Sequence, residues 1–212
     1  MTPTFARAVD PIFLRVVELI ERIESRAGVS AREERMRLLA LFDEAEAVVG
    51  AGREWELAKY ALVSWIDEIL VETVWGGQEW WGNNVLEVEL FGTRLCNEQF
   101  YVRAQEASTL ARRDALEVFY DCVVLGFRGL YRDPKLASIL TESNGLPADL
   151  ETWTKQASMS IRLGQGRPEL PKPRREIRGA PPLRSRSSVV WAWLGVVAML
   201  TLNVVTFLVL YR

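Results

Sequence analysis

The sequence predicts an all-α protein that ends in a membrane-crossing helix. Three observations carry this. From Pro11 to Gly164 apolar residues recur at three- and four-residue spacing, the period of a helix that buries one face. No alternating strand pattern with hairpin turns interrupts them. Val189 to Leu210 is then an apolar run without a charged residue, and roughly twenty such residues cross a ~30 Å hydrocarbon layer as a helix.

The elements follow in order. Asp10-Pro11 reads as a cap and first-turn proline, with Ile12, Val16, Leu19, Ile20 and Ile23 behind it and Gly28 as the stop. Ser30-Ala-Arg-Glu33 is a capping box that opens a second helix, closed by Gly50-Ala-Gly52. A third helix runs from about Glu54 to Val74. Its stripe of Trp55, Ala58, Leu62, Trp65 and Ile69 is widened by Ala61, Ile66 and Leu70. So broad an apolar surface predicts the helix at the centre of the bundle. Trp75 to Asn84 reads as a turn-rich loop whose tryptophans plug a gap between helix groups or offer an interface. Leu86 to Phe91 is a short helix or turn. Thr93 to about Ser108 is helical, with Leu95, Phe100 and Ala104 inward. Asp114-Ala-Leu-Glu117 looks like a cap, followed by Leu116, Phe119, Tyr120, Val123, Val124 and Phe127. Asp133-Pro134 starts a helix that stops near Asn144-Gly145, and Pro147 begins one that ends near Leu163-Gly164.

This gives four segments: a helical domain over 1–164, a Pro/Arg-rich linker over 165–188, a membrane anchor over 189–210, and a short tail, 211–212. The linker's five prolines favour extended chain. Trp191 and Trp193 at one end of the anchor and Tyr211 at the other suit the headgroup level. Arg174, Arg175, Arg178, Arg184 and Arg186 precede the anchor and only Arg212 follows. The positive-inside bias therefore puts the domain in the cytoplasm and the C-terminus in the periplasm. With no apolar leader at Met1, the expected mode is tail anchoring. Met199, Asn203 and Thr206 share one face. They predict helix pairing in a homodimer or with another membrane protein, the alternative being one Asn satisfied locally.

Composition narrows the function. The formal net charge is −2, without the basic footprint of a nucleic-acid binder. There is no histidine, which removes Ser-His-Asp and Cys-His nucleophile pairs and His metal sites. Cys96 and Cys122 read as free thiols, buried or half-buried, in a reducing compartment. Asp67 and Glu68 in Trp65-Ile-Asp-Glu68 are the candidate site. Asp67 points nearly opposite the central stripe and Glu68 lies on its flank. They could form an acid/base pair, a salt-bridged helix face or a docking patch. Phosphate loops are absent, and Arg128 and Arg132 could pair with acids across the bundle.

Three blocks then resemble one family. Ala58-Lys-Tyr-Ala-Leu-Val-Ser-Trp-Ile-Asp-Glu-Ile-Leu70 is similar to the A-x-Y-x-x-x-A-W-x-D-E segment of the DotU/IcmH family, the TssL family of type VI secretion. Trp81 with Leu86-Glu-Val-Glu-Leu-Phe-Gly-Thr93 resembles its W…LE…LFGT segment. Glu117-Val-Phe-Tyr-Asp-Cys-Val-Val-Leu-Gly-Phe-Arg-Gly-Leu-Tyr131 resembles its third block. The resemblance implies an inner-membrane structural component with no enzymatic activity and no cofactor or metal. It implies about seven to eight cytoplasmic helices in a hook of two small bundles, and a dimer formed partly through the anchor. It implies partners too, a TssM/IcmF-like membrane protein and baseplate proteins such as TssK, beside the membrane lipid that the anchor and its arginines predict and the absence of nucleic acid that the charge balance predicts. The family's acidic pair falls on Asp67 and Glu68, which favours docking. Asn97-Glu-Gln-Phe-Tyr101 departs from the family's G-E-x-F-F, and no peptidoglycan-binding segment follows the anchor. The rivals are the same fold in a type IVB system, stabilising an IcmF-like partner, and a tail-anchored protein that binds peptides in a groove. The latter's Asn-Trp-Gly-Arg signature is missing.

Overall fold

A computed structural model describes residues 1–164 and 185–210. The described residues are helical with no strand. The domain contains α1 (Pro3–Glu24), α2 (Ala31–Val49), α3 (Arg53–Glu72), α4 (Gln78–Asn83), α5 (Leu86–Phe91), α6 (Cys96–Ala107), α7 (Asp114–Val124), α8 (Pro134–Asn144) and α9 (Leu150–Gly164), with a 3₁₀ turn at Gly129–Arg132. The seven long helices and two six-residue segments bracket the expected number. Residues 165–184 and 211–212 lie outside the described residues, so the linker and Tyr211 readings are carried by sequence alone.

α3 is the centre, as its broad apolar surface predicts. Trp55, Leu57, Ala58, Tyr60, Ala61, Leu62, Val63, Trp65, Ile66 and Leu70 are all buried. Around it α1 and α7 run parallel to α3. Phe5 meets Trp55 and Phe13 meets Trp65, at ring-centroid distances of 6.4 and 5.2 Å. On the α7 side, the Cys122 Sγ lies 3.6 Å from the Ala61 carbonyl, and the Trp65 indole N–H donates to the Leu125 carbonyl at 3.4 Å. α2 runs back along α1, where Arg15 and Arg22 both reach Glu34. Phe100, Phe119 and Phe127 form a second aromatic cluster under α6 and α7, with Phe100 and Phe127 stacked at 3.9 Å.

Several boundaries differ from the sequence reading, for visible reasons. Pro11 lies inside α1, which starts at Pro3. The buried stripe of Phe5, Ala8 and Val9 continues the Ile12–Ile23 period upstream, and that burial outweighs the one backbone bond Pro11 cannot make. Asp114 is the first residue of α7 rather than its cap. Its carboxylate instead accepts the Thr2 backbone N–H at 2.7 Å and the Thr2 hydroxyl at 2.8 Å. The Met1 ammonium pairs with Glu117. The acids thus cap α1 from the neighbouring helix. The tryptophan segment folds into α4, with Trp81 fully buried as a plug. Leu95, expected inward, is exposed because it precedes α6, and Val124 is exposed as the last residue of α7. α9 begins at Leu150 rather than Pro147, because Asp149 accepts the Thr152 N–H and hydroxyl, both at 2.8 Å.

The Ser30 cap of α2, the start at Asp133 and the stop at Gly145 are as expected. Ser30 Oγ accepts from the Glu33 N–H, and Asp133 accepts from the Lys135 N–H at 2.9 Å. Gly145 adopts φ 63°, a left-handed conformation that glycine takes without strain.

α10 (Ser185–Leu210) is a single helix. Over Val190–Leu210 its mean hydropathy is 2.2, no side chain is buried, and it is long and apolar enough to cross a membrane.

Candidate functional site

The last turns of α3 carry the candidate acids, and both are turned into the protein. Asp67 is 3 % exposed and Glu68 is 8 % exposed. A helix surrounded by neighbours has no free face, so the position opposite the main stripe meets α4 and α5 instead of solvent. Asp67 Oδ1 accepts the Trp81 indole N–H at 2.9 Å and the Leu86 N–H at 2.9 Å, and Oδ2 accepts the Glu87 N–H at 2.8 Å. One carboxylate thus fastens α4, the start of α5 and the turn between them.

Glu68 does the same on the other flank. Its Oε1 accepts the Arg128 N–H at 2.7 Å, and its Oε2 accepts the Gly129 N–H at 2.8 Å. Arg132 donates to Oε1 at 2.9 Å and also pairs with Glu72. The predicted pairing of Arg132 with acids is therefore present. Arg128 uses its guanidinium otherwise, on the Val123 and Phe127 carbonyls. Gly126, at φ 115°, ends α7 just before this turn.

Sequence reasoning missed a third acid. Glu87, held by Asp67 through its backbone, sends its own buried carboxylate to the next loop. It accepts from the Thr93 hydroxyl at 2.8 Å, the Leu95 N–H at 2.8 Å, the Cys96 N–H at 3.1 Å and the Tyr60 hydroxyl at 3.1 Å. The Tyr60 ring in turn carries Arg103, whose guanidinium carbon lies 3.7 Å from the ring centroid. The signal available was an acid one residue into a short apolar segment, in Leu86-Glu-Val-Glu-Leu. Glu34, also buried, gave no such signal, because it stands among exposed charges in Arg32-Glu-Glu-Arg-Met-Arg37. It gathers Arg15, Arg22 at 2.8 Å and Arg37 at 2.7 Å.

The electrostatics separate these acids. Burial pushes the Asp67 carboxyl up to about 6, against the hydrogen bonds from Leu86, Glu87 and Trp81. Burial also opposes the charge on Glu34, but Arg22, Arg15 and Arg37 overcome it and hold that carboxyl below the usual carboxylate range. Both cysteines are free, Cys96 half-buried and Cys122 buried. Burial raises both thiols, so neither has the lowered value of a nucleophile. Asp67 and Glu68 reach different segments and spend their oxygens on N–H donors. Chemically the arrangement fixes three loops against one helix.

On α10, Met199, Asn203 and Thr206 are exposed along one face. The Thr206 hydroxyl donates to the Leu202 carbonyl at 2.7 Å, which satisfies it within the helix. Trp191 and Trp193 are exposed near the other end.

Comparison with known proteins agrees with this architecture. The family described as "Type VI secretion system protein DotU" matches residues 4–211. Among solved structures, the cytoplasmic domain of TssL from Acinetobacter baumannii aligns with a TM-score of 0.59 at 22% identity. The alignment covers 76% of this chain and 98% of that one. At that identity the likeness speaks to fold, and it confirms the all-helical architecture. No curated protein matches the chain. The family's description names a secretion-system protein.

Proposed function

This chain belongs to the DotU family of type VI secretion system proteins, and from that premise we propose that it docks cytoplasmic secretion machinery against the inner membrane. The observation that carries the proposal is α10: a run of 21 residues, Val190–Leu210, with every side chain unburied. Such a surface is costly in water and suited to lipid. In this reading α10 is the anchor, Trp191 and Trp193 sit at the headgroups, and the arginines of 174–186 keep the domain on the cytoplasmic side. The C-terminus is periplasmic. The segment between the domain and α10 gives reach.

The partners are a TssM/IcmF-like membrane protein and baseplate proteins such as TssK. Asp67 and Glu68 serve docking as positioning residues. They hold α4–α5 and the 126–132 turn in register, and the exposed side chains of those segments touch the partner. Met199, Asn203 and Thr206 pair two anchors, and two docking domains on one platform raise avidity through effective concentration. The type VI description of the family favours that system over type IVB.

Cross-linking in intact membranes tests the proposal. The expected neighbours are an IcmF-like membrane protein and baseplate components. Neighbours drawn only from outside a secretion apparatus would overturn it.

A further inference from the structure

The end of α7 leaves a strip that the interior does not explain. Phe13 packs on Trp65 at 5.2 Å, and the same Trp65 indole donates to the Leu125 carbonyl. Phe13 and Leu125 therefore flank one ring. Leu14 is 63 % exposed and Val124 is 61 % exposed, and Val17 and Leu125 are exposed beside them. Single exposed apolar side chains are ordinary. Leu14 and Val17 on α1, and Val124 and Leu125 at the end of α7, stand on the two segments that this indole joins, so four exposed apolar side chains border one seam.

One helical turn before this patch, each helix carries an acid. Asp10 precedes Phe13 and Leu14 on α1, and Asp121 precedes Val124 and Leu125 on α7. α1 and α7 are held side by side by Thr2 on Asp114 and by the Met1 ammonium on Glu117. Burial, then the charges of Glu117 and Asp10, push the Asp121 carboxyl up to about 6, and the Met1 ammonium opposes them. Among the described residues, no Lys or Arg side chain forms an ion pair with Asp10 or Asp121. The strip thus has a direction: negative charge at one end, apolar surface about 5 Å further along.

We propose that the Asp10/Asp121–Leu14/Val124 strip is a docking surface for a helical segment of a partner protein that carries Lys or Arg one turn away from a pair of large aliphatic or aromatic side chains. Charge complementarity selects this occupant. Anionic headgroups would meet Asp10 and Asp121 with like charge. A second copy of the strip would bring two more acids and no cation. A basic amphipathic helix supplies the missing cation and covers the apolar end. The proposal rests on the docking reading above and adds a second contact face to it.

The test uses the full chain in its own membranes, with a photo-activatable residue at Val124, at Val88 on α5, and at Ile139 on α8 as an exposed control. Cross-linked peptides are identified by mass spectrometry. At Val124 we expect a secretion-system polypeptide, joined at a segment with the basic and apolar spacing above, in excess of the yield at Ile139. The yield should fall about tenfold in Asp10→Lys and in Asp121→Asn, with the thermal midpoint measured for each. Asp121→Asn is nearly isosteric and keeps the comparison valid if the lysine variant unfolds. Attachment to a second copy, to lipid or to an acidic segment would overturn the proposal. So would a yield no higher than at Ile139, or one insensitive to both substitutions. Secretion components captured at Val88 but not Val124 would sink this strip and leave docking intact; capture at neither would sink both.

Discussion

Glu68→Gln separates a backbone clamp from an ion pair. In the native protein the carboxylate accepts the Arg128 and Gly129 N–H groups at 2.7 and 2.8 Å, plus Arg132 at 2.9 Å. A glutamine with its oxygen at the Oε1 position keeps Arg128 and Arg132. Its amide nitrogen then faces the Gly129 N–H, donor against donor, in a buried site. A buried donor without an acceptor costs about 1–3 kcal/mol, and the weaker neutral bond to Arg132 adds a few tenths. A loss of about 2 kcal/mol corresponds to a thermal midpoint lower by about 4–8 °C for a domain of this size. Arg132→Met is the companion. Arg132 is half exposed and pairs with two acids, so its loss should cost less than about 1 kcal/mol. Circular dichroism melts of the detergent-solubilised protein measure both, and hydrogen exchange at the Gly129 amide should quicken only in Glu68→Gln. If the two variants cost the same, or if Glu68→Gln melts like wild type, the clamp is wrong. If Glu68→Gln folds normally yet loses partner binding, Glu68 touches the partner directly.

The buried acids also predict opposite pH responses. Burial raises the Asp67 carboxyl to about 6 in the folded protein, against the ordinary aspartate value of 3.8. Between those values the fold holds a proton that the unfolded chain has lost, so this contribution favours folding at low pH and is lost as pH rises through about 6. The gap is worth ~3 kcal/mol. Urea titrations should show Asp67→Asn gaining on wild type by up to that amount between about pH 4 and 7.5, and a constant difference would count against it. Glu34 behaves in reverse. Its lowered carboxyl stabilises above 4.5 and loses that contribution as pH falls through its folded value, so Glu34→Gln should be most costly near neutral pH and least in acid. In the anchor, Asn203→Leu should weaken self-association by roughly 3- to 30-fold, matching an interhelical bond of about 0.6–2 kcal/mol. Fluorescence energy transfer between labelled copies in vesicles reads this, and unchanged transfer would leave the Met199–Asn203–Thr206 face without a role.

Periodicity made the long helices legible, because burial of one face is what fixes them. α3 was readable as the central helix for that reason, and α10 from its length and lack of charge. Asp133 and Ser30 were legible because their caps are local. Asp10-Pro11 misled because the stripe at Phe5–Val9 continues the helix just upstream of it, and Asp114 because its partner Thr2 lies 112 residues away. The same holds at the site. Asp67 and Glu68 stood out in sequence, but the N–H groups that occupy them belong to residues 81–87 and 128–129. Nothing local distinguishes the buried Glu34 from its exposed neighbour Glu33, and the apolar setting that marks Glu87 is shared by the exposed Glu89.

The most direct test asks whether α10 holds the protein in a bilayer. Membranes bearing the full chain, washed with alkaline carbonate and sedimented, should retain it in the pellet until detergent is added. A variant with arginines at Val197 and Leu200 should move to the supernatant with its helical domain still folded. Recovery of the unaltered chain in the carbonate supernatant would contradict the account.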